Sequence, residues 1–167
     1  IIFNSEADNL MPGDATMMDV FLRDVNTGLT EGLSVTPLGQ PGNNNSGNVI
    51  PGNYISRDGR YILFPSTATD LDPGSSYSGL FIHDRQTHTT RRVPQANDYF
   101  GSYDAFMSGN GRYVAYVAYV DYDIGYQIFL YDRDTGQTTL VSRASGENGE
   151  PANHGNVTQM PSVSDDG

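Results

Sequence analysis

The stretch Ser56 to Phe64 reads SRDGRYILF, and from Ser108 it is written again with small changes as SGNGRYVAY. At Ser164 the chain reaches SDDG, the opening of one more copy, so that Gly59, Gly111 and Gly167 stand 52 and 56 residues apart. A period of fifty-odd residues constrains the fold more than any other feature. Each copy is one supersecondary unit that buries its faces only against its neighbours.

Between the glycines run short apolar segments separated by turn residues. In the second unit VIPGNYIS (49–56) reads as a first strand and Arg57-Asp58-Gly59 as a turn. RYILFPS (60–66) is a second strand, GLFIHD (79–84) a third and TTRRVP (89–94) a fourth, the last two joined by the turn Arg85 to His88. The third unit keeps this order with YDAFMS from Tyr103, the turn Gly109-Asn110-Gly111, RYVAYVAYV, QIFLYD, the turn Arg133 to Gly136, and QTTLVS from Gln137. The first unit joins at its second strand, where Ile1-Ile2-Phe3 aligns with Ile62-Leu63-Phe64. Four short antiparallel strands per unit predict an all-β fold of propeller blades, about three of them present. The expected division is 1–47 for a blade lacking its first strand, 48–100 and 101–159 for complete blades, and 160–167 for the first strand of a further one. Propellers close with four to eight blades. The ring is therefore expected to be completed by further blades of a longer chain, for which this is an excerpt, or by self-association of copies.

Nineteen Gly and nine Pro agree with many tight turns, and the longest uninterrupted apolar run, Tyr113 to Val120, suits a buried strand and falls far short of a membrane span. All nine cationic residues are Arg, against sixteen Asp and four Glu, for a net charge of −11. That sign argues against nucleic acid as a partner. The absence of Cys excludes disulfides and thiolate metal sites and is compatible with an extracytoplasmic location.

The unit resembles the TolB-type, WD-like (PD-repeat) propeller repeat, S-P-D-G followed by an apolar strand, a strand ending in aromatic-x-x-Asp, and a T-G exit. The residues that carry the resemblance are Ser56, Asp58, Gly59 and Asp84 in one unit, Ser108, Gly111, Asp132 and Gly136 in the next, Asp24 and Gly28 in the first, and Ser164 and Gly167 at the last turn. The proline of the pattern is replaced by Arg57, Gly109 and Asp165, and one Asp by Asn110. The resemblance implies a rigid, non-catalytic interaction or assembly scaffold located outside the cytoplasm. Its partner would be another protein or further blades, with no membrane insertion. It also implies two alternatives, an accessory propeller of a peptidase or glycosidase and a calcium-dependent glycan-binding module.

No nucleophile elbow, zincin motif or phosphate-binding loop is present. The fold calls for no cofactor. The loops MPGDATMMD (11–19), DLDPG (70–74) and DYDIG (121–125) occupy the same connection between second and third strands, and clustered carboxylates suit a hard cation such as Ca²⁺. Asp14 with Asp19, or Asp70 with Asp72, are the candidate ligands; the plainer reading is that Asp begins turns. His83 stands at a repeat position held elsewhere by Arg23 and Tyr131 and reads as solvent-facing or packing, His88 replaces a turn glycine, and His154 lies in a loop.

Overall fold

The computed structural model describes residues 1–14, 17–47, 54–74, 77–95, 104–146, 148–153 and 161–167. The expected unit boundaries near 48, 100 and 160 lie outside these residues, as do most of the strand expected at 49–56 and His154. Among the described residues all regular structure is β, in three antiparallel sheets. Strands β1 (Ile2–Ser5), β2 (Asp19–Arg23) and β3 (Thr30–Gly32) form the first. The second is β4 (Tyr61–Ser66), β5 (Gly79–Asp84) and β6 (Thr89–Arg92). The third has four strands in consecutive order, β7 (Ala105–Met107), β8 (Tyr113–Asp121), β9 (Gly125–Asp132) and β10 (Gln137–Leu140). In the second sheet Ile55 bridges Ile62, in the place where Met107 of β7 pairs with Val114.

The period-2 alternation of the strands divides their side chains between two faces. Ile62, Phe64 and Phe81 pack against Val20, Leu22 and Leu33 of the first sheet. Leu63, Leu80, Ile82 and Val93 pack against Val114, Tyr116 and Phe129 of the third. All six residues of β4 are consequently buried. Each sheet also carries one cross-strand aromatic pair at the same register, Phe3 with Phe21, Phe64 with Phe81 and Tyr116 with Phe129, with ring centroids 5.6, 6.1 and 5.7 Å apart. Such stacked pairs add about 0.5–1.5 kcal/mol each beyond the area they bury. Tyr116 is wholly buried between the second and third sheets, where its hydroxyl donates to the Pro94 carbonyl at 2.9 Å and burial pushes its pKa up to about 12.

The repeated turns share one hydrogen-bond pattern. Ser56 Oγ donates to Asp58 Oδ1 and accepts from the Tyr61 amide, while the Arg60 amide donates to Asp58 Oδ1. Ser108, Asn110, Arg112 and Tyr113 make the same three bonds, so Asn110 serves as fully as an aspartate. Ser164 likewise donates to Asp166. The glycines that close the turns have φ of 72°, 73° and 85°, a region that only glycine enters without steric cost. The turns also touch one another. The Arg57 amide donates to the Gly109 carbonyl at 2.8 Å, the Gly109 amide donates to Asp165 Oδ1 at 2.9 Å, and Arg57 forms an ion pair with Asp165. A proline at Arg57 or Gly109 has no N–H for these links, which gives a physical reason for its replacement there.

Candidate functional site

Three kinds of position bear on function. The first is the aspartate that ends the third strand of each unit. Asp84 receives a bidentate fork from Arg60, at 2.8 and 2.7 Å, and Asp132 receives one from Arg112, at 2.9 and 2.7 Å. Each also caps the turn that follows, accepting from the amides of Gln86 and Asp134. The Arg60 guanidinium holds Asp84 down to about 2, and Arg112 holds Asp132 well below the usual carboxylate range. Asp24 accepts from the amides of Asn26 and Thr27. Gly28 and Gly136 complete the turns at φ of 73° and 71°. These carboxylates are engaged by protein donors.

The second is the set of acidic loops. Asp70 Oδ1 accepts from the Asn43 amide at 3.0 Å. Both oxygens of Asp72 hold protein donors: Arg91 Nη1 and the Gly74 amide on one, the Arg92 amide on the other. Asp121 likewise caps its own turn through the amides of Asp123 and Ile124. Asp14 and Asp19 are different. Asp19 is only 1 % exposed, and its Oδ1 accepts from Ser34 Oγ at 2.5 Å. Its Oδ2, and both carboxylate oxygens of Asp14, are buried without a hydrogen-bond partner. Burial, partly offset by Ser34 and reinforced by the Asp14 charge, pushes Asp19 up to about 6.

The third sheet shows what that arrangement lacks. There Gln127 stands where Asp19 stands, and the hydrogen bonds correspond: Ser142 Oγ donates to Gln127 Oε1 and accepts the Ile128 amide, as Ser34 Oγ donates to Asp19 and accepts the Val20 amide. Gln127 then uses its amide hydrogens on the carbonyls of Ile124 and Ala152. Asp19 has no hydrogens to give and faces a second carboxyl instead. A cation, or a proton shared between the two groups, would satisfy the unpartnered oxygens.

The third is a cluster where the first sheet meets the second. One ligand atom from each of Glu31, His83 and His88 lies within 4.8 Å of the others. His83 is wholly buried, which places it among the packing residues, and burial pushes its pKa down to about 4. Its Nδ1 is 3.0 Å from Thr90 Oγ1, and its Nε2 is buried with no partner. Glu31 Oε2 accepts from Arg85 Nε at 2.8 Å. His88 is exposed and has a φ of 53°, the only positive value of a non-glycine among the described residues. Glu31 and His88 also line a cavity of about 630 Å³ that opens at this seam. The cluster draws on two units, and the one hint of it in the sequence is a histidine at a glycine position.

No family model matches the chain, and no curated protein matches it in sequence. Solved structures do match in shape. The chain is similar to TolB from Acinetobacter baumannii, with a TM-score of 0.51, 14% identity, and coverage of 83% of this chain and 28% of that one. It is also similar to dipeptidyl peptidase 4 of Porphyromonas gingivalis, with a TM-score of 0.52, 11% identity, and coverage of 83% of this chain and 25% of that one. At such identities the likeness shows the fold, a run of β-propeller blades, and the chain spans roughly a quarter of each of these proteins.

Proposed function

We propose that these blades form part of an extracytoplasmic propeller that acts as a rigid, non-catalytic scaffold for assembly with other protein. The observation that supports this reading is the outward face of the third sheet. Leu80, Ile82 and Val93 of the second sheet are buried beneath the third. Their counterparts Ile128 and Leu130 are only partly covered, and Val141 is 50% exposed. They line an apolar opening together with Pro161 and Val163. A face built like its buried neighbour is completed by what covers that neighbour, so the occupant proposed is a further blade of the same repeat.

The test is the mass of the native particle beside that of the denatured chain, with Leu130→Asp as the disrupting variant. A closed particle that contains further blades, lost or destabilised by Leu130→Asp, supports the reading. A particle of 18.2 kDa that is monodisperse, stable and indifferent to Leu130→Asp overturns it.

The fold is shared with a peptidase, so fold alone does not decide between a scaffold and the accessory propeller of a hydrolase. A different observation favours a calcium-dependent glycan-binding module, namely the unpartnered oxygens of Asp14 and Asp19. Under that reading Ca²⁺ raises the melting temperature of the wild type and leaves Asp19→Asn unchanged, and binding to a glycan array requires the ion. A chelator that alters neither melting nor glycan binding rules it out.

A further inference from the structure

We infer that Glu31, His83 and His88 form a binding site for a divalent first-row transition metal of the zinc class, set across the seam between the first two sheets. The argument begins with a proton. Thr90 Oγ1 has one hydrogen and directs it to the Val35 carbonyl, 3.2 Å away. It therefore accepts from His83, whose Nδ1 carries the hydrogen, and Nε2 is left with its lone pair. That nitrogen is buried and meets no donor. An imidazole fixed through Nδ1 to an oxygen, with Nε2 bare, is the arrangement in which histidine ligates metals.

The other two residues supply what one imidazole cannot. Glu31 is oriented by Arg85 through Oε2, which leaves Oε1 for an ion. Arg85 also donates through Nη1 to the Gly59 carbonyl at 2.9 Å, so its guanidinium is not committed to Glu31 alone. His88 holds a left-handed backbone where the equivalent turns use Gly28 and Gly136, a conformation that disfavours a side chain and persists where something else fixes it. With metal bonds of about 2.0–2.2 Å, the exposed His88 ring has to close in by roughly an ångström to complete the set. Two imidazoles and one carboxylate suit Zn²⁺, Ni²⁺ or Co²⁺ better than the hard cations, which prefer oxygen alone.

The seam between the second and third sheets is a built-in comparison. By strand register Arg91 stands where Glu31 stands, Tyr131 where His83 stands, and Gly136 where His88 stands. None of those three is a ligand for such an ion. The trio is thus not a by-product of the repeat.

The experiment is titration of the chelator-treated full chain with ZnCl₂ by calorimetry and with CoCl₂ by visible absorption. One equivalent is expected to bind, with ligand-field bands that report nitrogen donors. His88→Gly restores the residue of the equivalent turns and so preserves the fold; it is expected to weaken binding on the order of tenfold or more, as is Glu31→Gln. Thr90→Val, which removes the acceptor for Nδ1, is expected to weaken it by about 10–100-fold. Absence of stoichiometric binding overturns the inference. So does binding that His88→Gly and Glu31→Gln leave intact, since the ion then sits among carboxylates elsewhere.

Discussion

The two seams of the molecule are made from the same strands in the same register, and they close differently. Between the second and third sheets the Tyr61 ring lies against Gly111, so closely that a Cβ there would come within 2.5 Å of the ring. Arg133 stacks over the same ring at 3.7 Å from its centre. The remaining cavity at this seam is about 240 Å³. Between the first and second sheets Gly59 meets no ring among the described residues, and the Arg85 guanidinium turns to Glu31 and to the Gly59 carbonyl. The cavity there is about 630 Å³. The hydrogen-bonded frame is common to both; the position equivalent to Tyr61 in the first unit falls before Ile1, and what distinguishes the first seam among the described residues is the set Glu31, His83 and His88.

The largest effect expected on this comparison comes from the core of the first seam. Phe81 is wholly buried, stacks on Phe64 and packs against the first sheet, so Phe81→Ala is expected to cost about 3–5 kcal/mol in urea unfolding. The next is a matched pair of glycines. Gly111→Ala combines a left-handed backbone with collision against Tyr61 and is expected to lose about 2–4 kcal/mol. Gly59→Ala carries the same φ but finds its nearest neighbour at 3.8 Å, and about 1 kcal/mol is expected. Equal losses would show that the ring does not close the second seam. Smaller again is Arg133→Ala, at about 0.5–1 kcal/mol for the stacked cation, with a correspondingly steeper loss when Tyr61 is intact than in a Tyr61→Leu background.

The mildest prediction concerns pH. The Arg60 fork lowers Asp84 in the folded protein to about 2, so its contribution is complete above the ordinary carboxylate value near 4 and is lost as the pH falls from there through 2. Asp84→Asn is expected to reduce that limb of the stability profile by the share of Asp84, while the equivalent fork on Asp132 keeps its own. A wild-type profile that is flat between pH 4 and pH 2 would deny the fork its role.

Much of this architecture was legible in the sequence. The repeated S-x-[DN]-G turn and the aromatic-x-x-Asp strand declared blades, and with them an all-β propeller fold. Their meaning is local: a serine, a turn carboxamide or carboxylate and a glycine within four residues. The site chemistry is a different matter. Asp19 and Gln127 occupy one position of the repeat, yet only the fold reveals that Gln127 hydrogen-bonds two carbonyls while Asp19 confronts Asp14. The cluster at the first seam was out of reach for a related reason. Glu31 lies on one sheet and His83 with His88 on the next, and the state of His83 depends on Thr90, whose hydrogen is committed to a carbonyl on a third segment. His88 alone left a trace, as a side chain where its counterparts have none.

The link between the turns of successive units has a consequence for how such a chain grows. The Arg57 amide and the Gly109 carbonyl are main-chain groups, and so is the Gly109 amide that reaches Asp165. A fastening of this kind is inherited with the unit whenever the gene segment that encodes it is duplicated. Where both ends are main chain, as between Arg57 and Gly109, a copy can grip its predecessor without any particular side chain, whereas the next link uses the carboxylate of Asp165. The side chains at equivalent positions can then differ, as Glu31 and Arg91 do, while the array stays in step.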